Sequence, residues 1–259
     1  MSSSPTTTTS ASPSPSTAPA TVAPSAQLPN DDDISAKFAG VTPRAWGMEM
    51  PGIVSRIETD ALALTLDACG GARGSGYDAA LIDLLRRHQV PATLFLNHRW
   101  VTKNLALSRE LASDPLFEIA NHGTKHCPLS VTGRAAYGIA GTASPVEAWR
   151  EVRDNHDFLH SELGVTPRFF RSGTAHYDDV GVEIVKLAGE QVAGFSVNGD
   201  QGARASRVSV RTALAQARAG DIILAHMNQP TGQTARGLAD ALPGILDGGT
   251  RFTTLGAAL

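Results

Sequence analysis

Cysteine is scarce: Cys69 and Cys127 are the only two in 259 residues, too few for a scaffold built on disulfides. Basic charge is not in excess. The 22 Lys and Arg against 25 Asp and Glu leave a net charge of −3 without clustering, which argues against nucleic acid as the main partner. No stretch is long and apolar enough to span a membrane. No phosphate-binding glycine loop follows the first strand candidate. The run GGARGSG at 70–76 fits neither G-x-G-x-x-G nor a P-loop with its lysine, and reads as a flexible lead into the next helix. The chain carries no charge before Asp31, and its first 30 residues are almost all Ser, Thr, Pro and Ala. Such a segment cannot bury enough apolar surface to offset its chain entropy, so residues 1–35 are expected to be a disordered tail. As it stands the tail lacks the basic start and apolar core of a signal peptide. Residues 36–259 remain for one large domain.

From residue 61 onward, short β-rich runs alternate with helical patterns. Strands are predicted at 61–68, 92–97, 116–121, 168–173, 192–197, 221–227 and 251–255. Helices are predicted at 77–88, 178–190, 207–218 and 234–247, and from Ser144-Pro145-Val146-Glu147 onward, a capping box with proline at the first helical position. This alternation implies an α/β fold of parallel strands with crossover helices, either a barrel or an open doubly wound sheet.

In parallel barrels reactive groups collect at the carboxyl ends of the strands. Asp67 ends the first strand, His122 and His126 follow the third in NHGTKH, and Arg171 lies late in the fourth. Asp200 follows the fifth, and His226 ends the sixth. The i, i+4 spacing of His122 and His126 suits two imidazoles meeting one metal on a helical turn, and a catalytic zinc takes about three protein ligands with one open position. Asp67 is placed to act as a base, held ionised by Arg171. His226 is placed to act as an acid, its pKa raised by Asp200. Together these make a hydrolytic apparatus for an amide or ester. A second HxxxH, His156 to His160 in HDFLH, imitates a metallopeptidase helix. His156 lies on an apolar stripe and Asp157 is one methylene short of the usual Glu, so both histidines read as structural.

These motifs resemble the polysaccharide deacetylase family, carbohydrate esterases that include chitin and peptidoglycan deacetylases. The resemblance runs over roughly residues 60 to 259. The T-F-D-D-G motif is similar to Thr65-Leu66-Asp67-Ala68-Cys69, and the H-[ST]-x-x-H motif to His122-Gly123-Thr124-Lys125-His126. The R-P-P-Y stretch is similar to Arg171-Ser172-Gly173-Thr174, the later Asp to Asp200, and the apolar strand ending in His to Ile222–His226. The resemblance implies a distorted seven-stranded (β/α) barrel and metal-dependent removal of acetyl groups from N-acetylated sugars, with Zn2+ the expected metal. It implies Asp67 as base, His122 and His126 as metal ligands, His226 as acid, a carbohydrate partner, and a periplasmic or extracellular setting.

Two departures bear on this. The family's second Asp, its third metal ligand, is Ala68 here, and the third motif keeps its Arg but not its prolines or tyrosine. By resemblance the backbone N–H of Thr174 takes the tyrosine's place at the oxyanion. Three completions of the metal site are open: Asp67 turning ligand, Cys69 from the same strand face, or a second water. Asp67 with the two histidines and waters is the reading adopted. Cys127 follows His126, so the two cysteines either pair on export or are two small buried residues, and the second is adopted. The alternative function is a carbohydrate-binding homologue that has lost turnover with its third ligand. Aromatic residues are only 5% of the chain, which leaves Trp100 as the expected sugar-stacking platform.

Overall fold

The protein is described by a computed structural model covering residues 1–2 and 28–259. Its strands are β1 (Trp46–Gly47), β2 (Ile53–Val54), β3 (Leu62–Ala68), β4 (Ala92–Leu96), β5 (Phe117–Asn121), β6 (Phe169–Phe170), β7 (Tyr177–Asp178), β8 (Gln191–Ala193), β9 (Val197–Asn198), β10 (Ile222–His226) and β11 (Phe252–Thr253). Nine of them form one parallel sheet in the order β2-β8-β6-β5-β4-β3-β10-β9, with β11 beside the start of β3; β1 and β7 make a separate antiparallel ribbon. The sheet curls into a barrel whose ladder does not close. Strands β2 and β9 are its free ends, and a single bridge joins Arg56 to Asp221 near the start of β10.

Strand β3 shows why the fold forms. All seven of its residues are buried, as a strand with both faces covered requires. Side chains alternate across a strand. Leu62, Leu64, Leu66 and Ala68 face outward into the apolar layer under the helices Ala79–His88, Arg207–Ala215 and Thr234–Asp247. Ala63 faces the bore with Phe95, Ala120, Phe169, Ala193 and Ile222. Thr65 and Asp67 share the parity of Ala63. A second outer layer lies under the helices Pro145–Leu163 and Asp179–Leu187.

All seven predicted strands are present. The fifth is split: β8 pairs with β6 and β2, whereas β9 pairs with β10. Between them the Gly194 N–H donates to the Val54 carbonyl (2.8 Å). A Cβ on Gly194 would come within 2.9 Å of Ile53 and Ser55 side-chain atoms, so only glycine passes there. Strands β1, β2 and β7, two residues each, are too short to show a period in the sequence.

The tail expected over 1–35 lies mostly outside the described residues. Its boundary falls inside the helix Asp31–Lys37, which is fixed by a capping box between Asn30 and Asp33, three acidic residues in its first turn, and buried Ile34. Among the described residues no helix is long and apolar enough to cross a membrane.

Candidate active site at the carboxyl rim of the barrel

Asp67 and His226 are direct cross-strand neighbours on β3 and β10. Arg171, fully buried, leaves the end of β6 and spans the bore. Its Nη1 donates to Asp67 Oδ1 (2.9 Å) and Thr65 Oγ1 (2.8 Å). On the opposite wall its Nη2 donates to the Gly194 carbonyl (2.8 Å) and its Nε to the Ala193 carbonyl (3.1 Å). The guanidinium also lies 4.2 Å from the centroid of the Phe95 ring. Burial works against the charge of Asp67, but Arg171, His122 and His226 outweigh it and hold its carboxyl below the ordinary range.

Beside Asp67 three donors converge. One ligand atom each from Cys69, His122 and His126 lie within 4.8 Å of one another. His122 Nδ1 donates to the Arg171 carbonyl (2.8 Å), which orients the ring and leaves Nε2 free toward Cys69 Sγ, 3.8 Å away. The Nε2 is also 3.5 Å from Asp67 Oδ2. Burial pushes the Cys69 thiol up, but hydrogen bonds with His122, His126 and His226 prevail and set it well below its ordinary value. Two imidazoles and a thiol of this character make a donor set suited to zinc. Cys127, by contrast, is a free buried thiol pushed up to about 12 by burial and by Glu151. No bond joins it to Cys69, which is also free.

On the other side of Asp67, His226 Nδ1 donates to Asp200 Oδ1 (2.8 Å). The His226 backbone N–H and the Thr234 hydroxyl hold Asp200 Oδ2 at 2.8 and 2.9 Å. Burial opposes a charge on His226, but the Asp200 hydrogen bond, with Cys69, raises its pKa well above the ordinary value.

The sequence of this chain matches the model of the family described as polysaccharide deacetylase over residues 56–193, more than half its length. The chain belongs to the polysaccharide deacetylase family. A curated relative, the uncharacterized protein YlxY of Bacillus subtilis, is 28% identical over 64% of this chain, which spans about half (49%) of that relative's length. A peptidoglycan-N-acetylglucosamine deacetylase of Bacillus cereus is 26% identical over 71% of this chain and 82% of its own. The fold is that of a carbohydrate esterase family 4 pseudoenzyme from Bacillus anthracis, with a TM-score of 0.67 at 20% identity over 81% of this chain and 69% of the other.

Within this polysaccharide deacetylase-family rim, the histidine pair differs from what the spacing suggests. His122 and His126 meet through a loop rather than a helical turn. Gly123 and His126 adopt left-handed conformations (φ 75° and 61°), and the ring centroids end 4.9 Å apart. The loop's N–H groups go to a carboxylate rather than to preceding carbonyls: Glu151 accepts from Lys125 (2.8 Å) and His126 (3.0 Å). Gly123 is required there, since a Cβ would sit 2.4 Å from Glu151 Oε1. Glu151 belongs to no motif. Its only trace in the sequence is that it shares the buried face of its helix with Val152, Asn155 and His156.

Trp100 cannot stack on a sugar, because it is fully buried and its Nε1 donates to the Gly76 carbonyl (2.8 Å). His156 is structural, as expected: it is buried with Nδ1 2.7 Å from Glu190 Oε1, and Glu190 also accepts from Asn121 (2.9 Å). The Thr174 hydroxyl is buried without a hydrogen-bond partner among the described residues.

Proposed function

We propose that this chain is a metal-dependent hydrolase that removes acyl groups, acetyl foremost, from an N-acylated amino sugar of a glycan. The observation that carries the reading is the convergence of Cys69, His122 and His126 beside Asp67, with His226 on the neighbouring strand. Cys69 replaces the missing carboxylate of Ala68 as third ligand, and Asp67, already committed to Arg171, stays free to act as base. A divalent metal, Zn2+ by its donor set, supplies Lewis-acid polarisation of the acyl carbonyl when bound. Asp67 takes the proton of the attacking water at its free Oδ2. His226 hands a proton from Nε2 to the departing amine, while Asp200 keeps its Nδ1 proton in place.

Purified protein should contain one divalent metal per chain by elemental analysis. His122→Ala should reduce it to background. Cobalt-loaded protein should show a thiolate-to-cobalt charge-transfer absorption. Cys69→Ala should remove that band and weaken metal affinity by more than the roughly 10–100-fold typical of an outer-shell loss. His122→Ala with stoichiometric metal would sink the site as drawn.

The pH profile tests the acid. His226 must be protonated to donate, and its pKa is raised, so activity should hold through neutral pH and fall on the alkaline side. Asp200→Asn removes the carboxylate that holds the proton, so the falling limb should move to lower pH. An unmoved limb would take the pair out of the mechanism.

A second reading is favoured by Ala68: a carbohydrate-binding homologue without turnover. Release of acetate from an N-acetylglucosamine oligomer by the metal-loaded protein separates the two.

A further inference from the structure

Tyr137 stands apart from the rim just described. It is 76% exposed and takes a left-handed conformation (φ 53°), followed by Gly138 (φ 77°). The two form the tip of a tight hairpin closed by Ala136 N–H to the Ile139 carbonyl (3.0 Å) and Ile139 N–H to the Ala136 carbonyl (2.9 Å). Such a turn favours Asn or Gly at its first central position. A bulky aromatic there carries both backbone strain and an exposed ring, a combination that points to function rather than folding.

The ring is not isolated. It meets His176 edge to face, centroids 5.2 Å apart at 89°. His176 in turn lies 5.8 Å from Trp46, and the Arg134 guanidinium packs over Trp46 at 5.0 Å. The chain has only three Trp and three Tyr, and one of each is placed here. The supports are rigid. Trp46 sits in the β1–β7 ribbon opposite Asp178, and the preceding N–H groups of Arg44 and Ala45 donate to Asp179 (2.9 and 3.2 Å). His176 Nδ1 donates to the Thr174 carbonyl (2.8 Å).

The row is joined to the candidate site by two loops. His176 ends the loop that starts at Arg171, and Gly173 in that loop is pressed against the His126 backbone so closely that a Cβ would fall 2.4 Å from its carbonyl carbon. Tyr137 lies on the excursion that leaves directly from His126.

We infer that Trp46, His176 and Tyr137 form a stacking platform for a sugar ring of an extended glycan whose acylated residue lies at the Asp67–His226 rim. The inference rests on the hydrolase reading for its occupant. The rings are tilted 89° and 43° to one another and do not share one plane; the exposed Tyr137 ring takes the apolar face of a pyranose, and the polar edges beside it meet ring hydroxyls. Arg134 covers one face of the indole, which leaves the other face and the ring edge to the ligand.

The test uses the full chain loaded with metal, titrated calorimetrically with the hexamer and the dimer of N-acetylglucosamine. Hexamer should bind more tightly than dimer. Tyr137→Asn suits the left-handed turn, so its melting temperature should be unchanged or higher. Its hexamer affinity should nevertheless fall about tenfold, as for loss of an aromatic hot spot, with dimer affinity unchanged. Tyr137→Phe should keep wild-type affinity, and Trp46→Ala should repeat the hexamer-specific loss. Equal affinity for hexamer and dimer in the wild type, or an unaltered hexamer affinity in Tyr137→Asn, would overturn the platform. Tyr137-dependent hexamer binding without acetate release would leave the platform standing and remove the hydrolase reading. Acetate release with Tyr137-independent hexamer affinity would do the reverse.

Discussion

Arg171→Met is expected to destabilise the fold by about 3–5 kcal/mol, the range for removing one partner of a buried ion pair. Asp67 would keep a charge in the bore without its counter-ion. The carbonyls of Ala193 and Gly194 and the Thr65 hydroxyl would lose their donor as well. Against a typical total stability of about 5–15 kcal/mol this is a large fraction. Arg171→Lys should not recover it, because one ammonium cannot serve two walls of the bore at fixed angles. Urea denaturation measures the loss. A double-mutant cycle with Asp67→Ala should return a coupling energy of about 0.5–3 kcal/mol. A change below 1 kcal/mol in Arg171→Met would show that the guanidinium is not the strut the distances describe.

Asp67→Asn should reduce acyl hydrolysis by about 10²–10⁴-fold, the usual worth of a positioned general base. The amide oxygen can still accept from Arg171, so the barrel should remain folded. Metal content should also persist, because the converging donors are Cys69, His122 and His126. Acetate release and elemental analysis on the same sample decide the matter. Full activity would refute the base, and loss of metal together with activity would make Asp67 a ligand and return Cys69 to a bystander.

Asp67 and His226 were legible in the sequence because each ends an apolar run, and strand parity determines which face such a residue takes. Arg171 was legible as a partner of Asp67 but not as a span across the bore, since the walls it joins lie on strands distant in sequence. The histidine pair shows in the sequence but its conformation does not: spacing alone suggests a helical turn, and the carboxylate that holds the loop comes from Glu151, 25 residues beyond His126. The burial of Trp100 has no sequence signal, because position after a strand says nothing of how an earlier loop folds over it, and here Gly76 in the loop after β3 accepts from its indole nitrogen. Tyr137 had no sequence signal beyond the glycine that follows it. Its prominence depends on ribbon β1–β7 and on His176, which only the folded chain brings together.

The bore-spanning guanidinium bears on how such a chain can decay. Arg171, Thr65 and Asp67 are hydrogen-bonded across the bore, so a lineage under no selection for turnover would still lose stability by discarding the guanidinium. Ala68 is in a different position. It faces the apolar layer behind β3 and takes no part in the lattice around Arg171. An idle descendant would therefore keep the Asp67–Arg171 pair as architecture. In this chain, an intact Asp67–Arg171 pair reports on barrel integrity, and the test of chemistry falls on the donor set of Cys69, His122 and His126.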